Sequence, residues 1–171
     1  MQKNEITLIT GGTRSGKSKF AQKLAEQKSD APVYLATSRI WDHDFKERVA
    51  RHQADRGNNW QTVEEEKEIS KHHLKNKVVL MDCVTLWLNN FFFDNKNDVE
   101  KTLNQAKKEW NSFIRQDFQL IVVTNEIGMG LHGAHEVSRK FADVHGWVNQ
   151  HIASLSDHVY LMISGIPTKI K

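Results

Sequence analysis

Ile6 to Thr10 is a short apolar, β-branched run that stops at Gly11-Gly12, which predicts a strand entering a tight loop. Phe20, Ala21 and Leu24 then recur at helical spacing and predict a helix over Lys17 to Gln27. A second strand is predicted over Pro32 to Thr37, around Val33-Tyr34-Leu35-Ala36. Phe45, Val49 and His52 fall at helical intervals within a charged segment. Trp60 to Val63 has the character of a short strand, and the acidic stretch Glu64 to Leu74 that of a solvated helix.

Val78 to Met81 is continuously apolar and closes on Asp82, as a parallel strand buried on both faces does. Leu86, Leu88 and Phe91-Phe92-Phe93 follow on a helical stretch, and Val99 to Gln116 is a second one. Leu120 to Thr124 predicts another buried strand, running into Asn125-Glu126-Ile127-Gly128-Met129-Gly130. Phe141, Val144, Val148 and Ile152 line one side of a predicted helix over Glu136 to Leu155. Val159 to Ile163 is the last expected core strand, with Pro167 to Lys171 a short tail. Strands alternating with helices predict one α/β domain over residues 1–171, a three-layer fold with a mostly parallel central sheet.

Composition narrows the class without naming a function. The 171 residues suit one domain, and a 39% hydrophobic content with five tryptophans excludes a disordered chain. A formal charge of +3 permits phosphate-rich ligands but makes no case for a nucleic-acid binder. Cys83, the sole cysteine, cannot form an internal disulfide, which fits a reducing compartment. The first residues lack a secretory signal, and no apolar run approaches the roughly 20 residues of a membrane span. A soluble cytoplasmic protein without a membrane span is expected.

Gly11-Gly12-Thr13-Arg14-Ser15-Gly16-Lys17-Ser18 fits the pattern G-x-x-x-x-G-K-[S/T], between a predicted strand and a predicted helix. Glycines let such a loop curl so that successive backbone N–H groups face a phosphate chain. Lys17 would reach the β- and γ-phosphates, and Ser18 would offer its hydroxyl to Mg²⁺. The bland reading is a glycine turn that only caps a helix. Asp82, at the end of the most apolar strand, is the natural second Mg²⁺ carboxylate; the bland reading is the N-cap of a helix over Val84 to Asn90.

Arg48, His52 and Arg56 stand at i, i+4 and i+8, so one helix face would hold an imidazole between two guanidiniums. A neutral imidazole is a competent nucleophile toward phosphorus, but an exposed basic face explains the spacing equally well. His72-His73, His132, His135, His145 and His151 read as solvated surface residues, since no Cys or carboxylate completes a ligand spacing around them. Phe91-Phe92-Phe93 reads as core or subunit contact, and Cys83 as buried.

Several motifs together carry a family likeness: Thr10 to Ser18, Tyr34-Leu35-Ala36-Thr37-Ser38, Arg48-Val49-x-x-His52-x-x-x-Arg56 and Trp60-x-Thr62-x-Glu64. Asp82-Cys83-Val84-Thr85-Leu86-Trp87 and Val123 to Gly130 continue it. Arg139-x-Phe141-x-Asp143-x-x-Gly146-x-x-Asn149-Gln150 and Ser164-Gly165-Ile166-Pro167-x-Lys169-x-Lys171 complete it. With them the chain resembles the bifunctional adenosylcobinamide kinase / adenosylcobinamide-phosphate guanylyltransferase family of cobalamin biosynthesis, over nearly its whole length. The resemblance implies a P-loop NTPase-like fold, phosphorylation of adenosylcobinamide by ATP or GTP, and transfer of GMP from GTP to the resulting phosphate.

It further implies a GMP–histidine intermediate on His52 and a GTP site made by residues 11–18, Ala36, Thr37, Ser38, Gln53, Ala54, Asp55, Arg56, Glu64 and Asp82. Mg²⁺ on Ser18 and Asp82 and a homotrimer belong to the same expectation. The chain departs from the family pattern at Gln53-Ala54-Asp55 and at Leu131-His132-Gly133-Ala134-His135. A guanylyltransferase without the kinase, a plain P-loop small-molecule kinase and a non-catalytic nucleotide-binding regulator are the competing classes. The plain kinase has no use for His52, and the regulator turns nothing over.

Overall fold

The computed structural model describes residues 5–39, 57–130 and 133–171; the predicted helix around Phe45, Val49 and His52 lies outside them. Along the chain the strands are β1 (Glu5–Gly11), β2 (Val33–Ala36), β3 (Gln61–Glu64), β4 (Val78–Asp82), β5 (Gln119–Val123), β6 (His158–Ile163) and β7 (Ile166–Lys169). The helices are α1 (Lys17–Lys28), α2 (Val84–Asp94), α3 (Val99–Phe113) and α4 (Glu136–Leu155). These strands form one sheet in the order β3-β2-β4-β5-β1-β6-β7, parallel throughout except for the β6–β7 hairpin.

The strict alternation of strand side chains decides the layers. Leu8, Val79, Met81, Leu120 and Val122 face one way, onto Trp87, Trp110 and Val148 from α2, α3 and α4. Ile9, Val78, Leu80, Ile121 and Val123 face the other way, onto Ala21 and Ala25 of α1. Both faces of the central strands are covered, which is why they read as unbroken apolar runs. Trp87, Trp110 and Phe113 are fully buried, and truncating any of them to alanine costs about 3–5 kcal/mol.

From β1 the chain passes through α1 to β2 on one side, and from β5 through α4 to β6 on the other. The C-terminal end of β1 therefore lies where the strand order reverses, the place at which open α/β sheets bind ligands. The register sets Glu64, Ala36, Asp82, Val123 and Ile9 in one row across five strands. Residues far apart in sequence thus reach the same edge as the loop that leaves β1.

Two expectations fail here. Glu64 to Leu74 is not a helix; Glu64 closes β3, and irregular chain follows with one short 3₁₀ turn at Ile69–Lys71. Its backbone is claimed by side chains: the Glu65 carboxylate accepts the N–H groups of Lys67 and Glu68. Trp87 Nε1 donates to the Lys67 carbonyl and Asn90 Nδ2 to that of Glu66. With those groups taken, and Ile69 fully buried, no helical ladder forms. The expected tail from Pro167 is strand β7, pairing Ile166 with Ile163 and Pro167 with Met162. Proline fits because β7 is the sheet edge, where a missing N–H is tolerated.

Candidate active site

Gly11 to Ser18 curls between β1 and α1 as its glycines allow. Gly16 caps α1 with φ +95°, and an added Cβ would lie 3.2 Å from the Gly165 Cα. Gly11 is tighter, since a Cβ there would lie 2.6 Å from the Met162 carbonyl oxygen. The β6–β7 hairpin is thus a wall of the loop, and Gly165 N–H donates to the Ser15 carbonyl at 2.9 Å. Thr13 and Arg14 are exposed while Ser15 and Lys17 are buried.

The Lys17 ammonium lies 2.5 Å from the Gly12 carbonyl and 3.4 Å from Ser15 Oγ. Burial lowers its pKa, opposed by the fields of Cys83 and Asp82 at the end of β4. Asp82 accepts a hydrogen bond from Tyr34 Oη at 3.3 Å. It is not the N-cap of α2: that position is Cys83, without a side-chain cap bond. The Cys83 thiol is pushed up to about 12 by burial and by Asp82, so it stays protonated and unreactive.

Thr37 is fully buried and donates to the Cys83 carbonyl at 3.0 Å, tying the end of β2 to that of β4. Ala36, Ser38, Arg39, Glu64 and the turns from Glu65 to Glu68 line a cavity of about 640 Å³ at the same edge of the sheet. Glu64 is exposed to it. Within its wall Glu65 would be raised by burial, but the Lys71 ion pair and two backbone N–H groups hold it at about 2. The fold brings together residues 11–18, Ala36, Ser38, Glu64 and Asp82, and turns Thr37 inward as a brace. His52, Gln53, Ala54, Asp55 and Arg56 lie outside the described residues.

Ser18 and Asp82 offer a hydroxyl and a carboxylate, hard oxygen donors of the kind that share Mg²⁺ with nucleotide phosphates. Asp82 makes no ion pair among the described residues, which leaves its charge for a cation. No group of three protein ligands occurs among the described residues. A divalent ion held there by those two side chains would complete its shell from phosphates and water.

Sequence reasoning gave no site role to the polar group behind the end of β5. Asn149 Nδ2 donates to the Asn125 carbonyl at 2.9 Å, which orients the amide so that Oδ1 accepts from Thr124 Oγ1 at 2.8 Å. Asn125 Nδ2 donates to Thr85 Oγ1 at 2.9 Å. The Thr85 hydrogen is then available to the neutral His145 Nε2, also 2.9 Å away. His145 was expected at the surface, yet it is 1% exposed, and burial brings its pKa down to about 4. The readable signal was its place with Asn149, at i and i+4, inside the apolar stripe of α4. Glu126 belongs to the same edge: Thr10 Oγ1 donates to its Oε1 at 2.5 Å, and its N–H donates to the Gly11 carbonyl.

A parallel sheet with a glycine-cradled lysine loop at the strand-order reversal defines a P-loop nucleotide-binding protein. A solved type III secretion ATPase shares this fold, with a TM-score of 0.62 at 10% identity over 93% of this chain and 52% of that one. The model of the cobinamide kinase / cobinamide phosphate guanyltransferase family matches residues 7–170, and the chain belongs to that family. It is 37% identical to the bifunctional adenosylcobalamin biosynthesis protein CobU of Escherichia coli, over 97% of this chain and 99% of the relative. It is 32% identical to the bifunctional protein CobP of Pseudomonas aeruginosa, over 96% of both. The names of both relatives assign them to adenosylcobalamin biosynthesis. Among the described residues, no helix is long and apolar enough to cross a membrane.

Proposed function

We propose that this chain phosphorylates the hydroxyl of adenosylcobinamide with ATP or GTP, then transfers GMP from GTP to that phosphate. The products of the second step are adenosylcobinamide-GDP and pyrophosphate. The observation that carries the reading is the shared edge formed by the phosphate loop, Lys17 and Asp82, in a chain of this family. One domain over residues 1–171, a homotrimer and a cytoplasmic setting belong to the same reading.

The loop N–H groups and the start of α1 face a triphosphate, and Lys17 neutralises its β- and γ-phosphates. Ser18 and Asp82 would hold Mg²⁺, which when bound supplies further charge neutralisation to the phosphate chain. Ala36, Ser38 and Glu64 border the cavity in which the nucleoside would lie, with Thr37 fixing its floor. Gln53, Ala54, Asp55 and Arg56 complete that site by resemblance. His52 attacks the α-phosphorus through its neutral imidazole, forming a P–N bond as pyrophosphate leaves. The acceptor phosphate then attacks the same phosphorus and releases the imidazole. A covalent intermediate spares two bulky anions from sharing the site.

Incubation with Mg²⁺ and GTP labelled at the α- or the γ-phosphorus, followed by denaturation, tests this. Acid-labile label retained from the α-position alone, and lost in His52→Ala, is the expected result. Folded protein without α-label would sink the histidine step. γ-Label passing to adenosylcobinamide establishes the kinase half, and its absence in wild type removes that half. Light scattering should give the mass of three protomers; a monomer would overturn the trimer.

A further inference from the structure

We propose that Glu126 is the general base of the phosphoryl-transfer half of the reaction and has no such role in the guanylyl-transfer half. This rests on the two-activity reading above and adds to it the residue that tells the two chemistries apart.

The three nucleophiles in that scheme differ in one respect. A neutral imidazole presents a lone pair, and a phosphate monoester is already an anion near neutrality, its second pKa being about 6. An alcohol keeps its proton. Only the kinase half therefore needs a group to accept a proton from its nucleophile, and a positioned carboxylate serves kinases in that way.

Two carboxylates stand at the phosphate-loop edge in the central strands. Asp82 is separated from β1 by β5, accepts from Tyr34, and lies in the field of Lys17. Glu126 sits just past the end of β5, the strand directly paired with β1. Its N–H donates to the Gly11 carbonyl at 3.2 Å, and its carbonyl accepts from Met129 N–H at 3.2 Å. Thr10, one residue before the loop, donates its hydroxyl hydrogen to Oε1. Oε2 makes no hydrogen bond among the described residues. One oxygen is thus held and the other left to take a proton, beside the first residue of the loop that holds the triphosphate.

In the step, the acceptor oxygen forms a bond to the γ-phosphorus. The bridging bond between the β- and γ-phosphates breaks, its electron pair staying on the nucleoside diphosphate. The hydroxyl proton passes to Oε2 of Glu126 and from there to solvent. No further reactant is required.

Glu126→Gln tests the role, because an amide oxygen still accepts from Thr10. γ-Phosphoryl transfer to adenosylcobinamide should fall about 10²- to 10⁴-fold in kcat, with little change in the nucleotide KM. The α-label on His52, and GMP transfer to an acceptor already phosphorylated, should stay within about threefold of wild type. Retained α-label also certifies a folded site. Glu126→Asp, which keeps a carboxylate, should return part of the γ-phosphoryl transfer that Glu126→Gln loses. Unchanged γ-transfer in Glu126→Gln overturns the proposal. A parallel fall of both halves overturns it too, since Glu126 would then only brace the loop. Wild-type protein that transfers no γ-phosphoryl group overturns the kinase reading and this proposal together.

Discussion

Two polar clusters flank the nucleotide edge, and they are built from opposite materials. Behind the end of β5, Thr85, Thr124, Asn125, His145 and Asn149 hydrogen-bond to one another with no formal charge. Beyond β2, Arg39 forks onto Asp94 and pairs with Glu66, while Lys67 joins Asp94. Arg39 is raised, and Asp94 held well below the usual carboxylate range, by that pairing. In the first cluster Thr124, His145 and Asn149 are buried, so their polar groups depend on partners within the protein and losing one is costly. In the second, water replaces a lost partner and the pairing adds little.

The largest test removes a buried partner. Asn149→Ala removes the 2.8 Å acceptor of the Thr124 hydroxyl and the donor to the Asn125 carbonyl, and should lower stability by about 2–4 kcal/mol in urea unfolding. A cost below that of Asp94→Asn would break the contrast.

The next test is acid. The folded state keeps His145 neutral down to about pH 4, whereas the unfolded chain titrates near 6.5. The unfolded chain binds the proton first, so stability is full above about pH 6.5 and falls as the pH drops toward 4. Between pH 7.5 and 5 the loss from this residue should be about 2 kcal/mol, and His145→Asn should show a flatter curve. The Glu65 carboxylate, held at about 2, works in a lower window: its contribution is present above about 4.5 and fades toward pH 2. Identical pH curves for wild type and His145→Asn would remove the buried cluster from the explanation.

The smallest effect belongs to the surface. Asp94→Asn should cost about 0.5–1 kcal/mol at low salt and less in 1 M salt, whereas the Asn149→Ala deficit should not shrink with salt.

The layers were legible because strand burial writes itself into the chain. Val78 to Met81 and Leu120 to Val123 have no polar face to confuse the period. The phosphate loop was legible because backbone chemistry forces its glycines and lysine into a fixed spacing. Glu64 to Leu74 misled because its charges bind backbone groups of their own segment, which no periodicity reports. His145 misled because a buried imidazole and a surface one look alike until Thr85, sixty positions earlier, arrives beside it. The partnership of Thr10 with Glu126 was hidden for the same reason, since register alone brings β1 and β5 together.

The wall that Gly165 gives the phosphate loop also has a history in time. A ribosome makes Gly11 to Ser18 early, but the hairpin that holds Ser15 and crowds Gly16 is made after every other strand and helix described here. During synthesis the loop stands open on that side, and domains made vectorially reach their final packing only when the late segments are released. The emerging polypeptide is thereby barred from gripping a nucleotide in its mature pose until translation has passed β6 and β7.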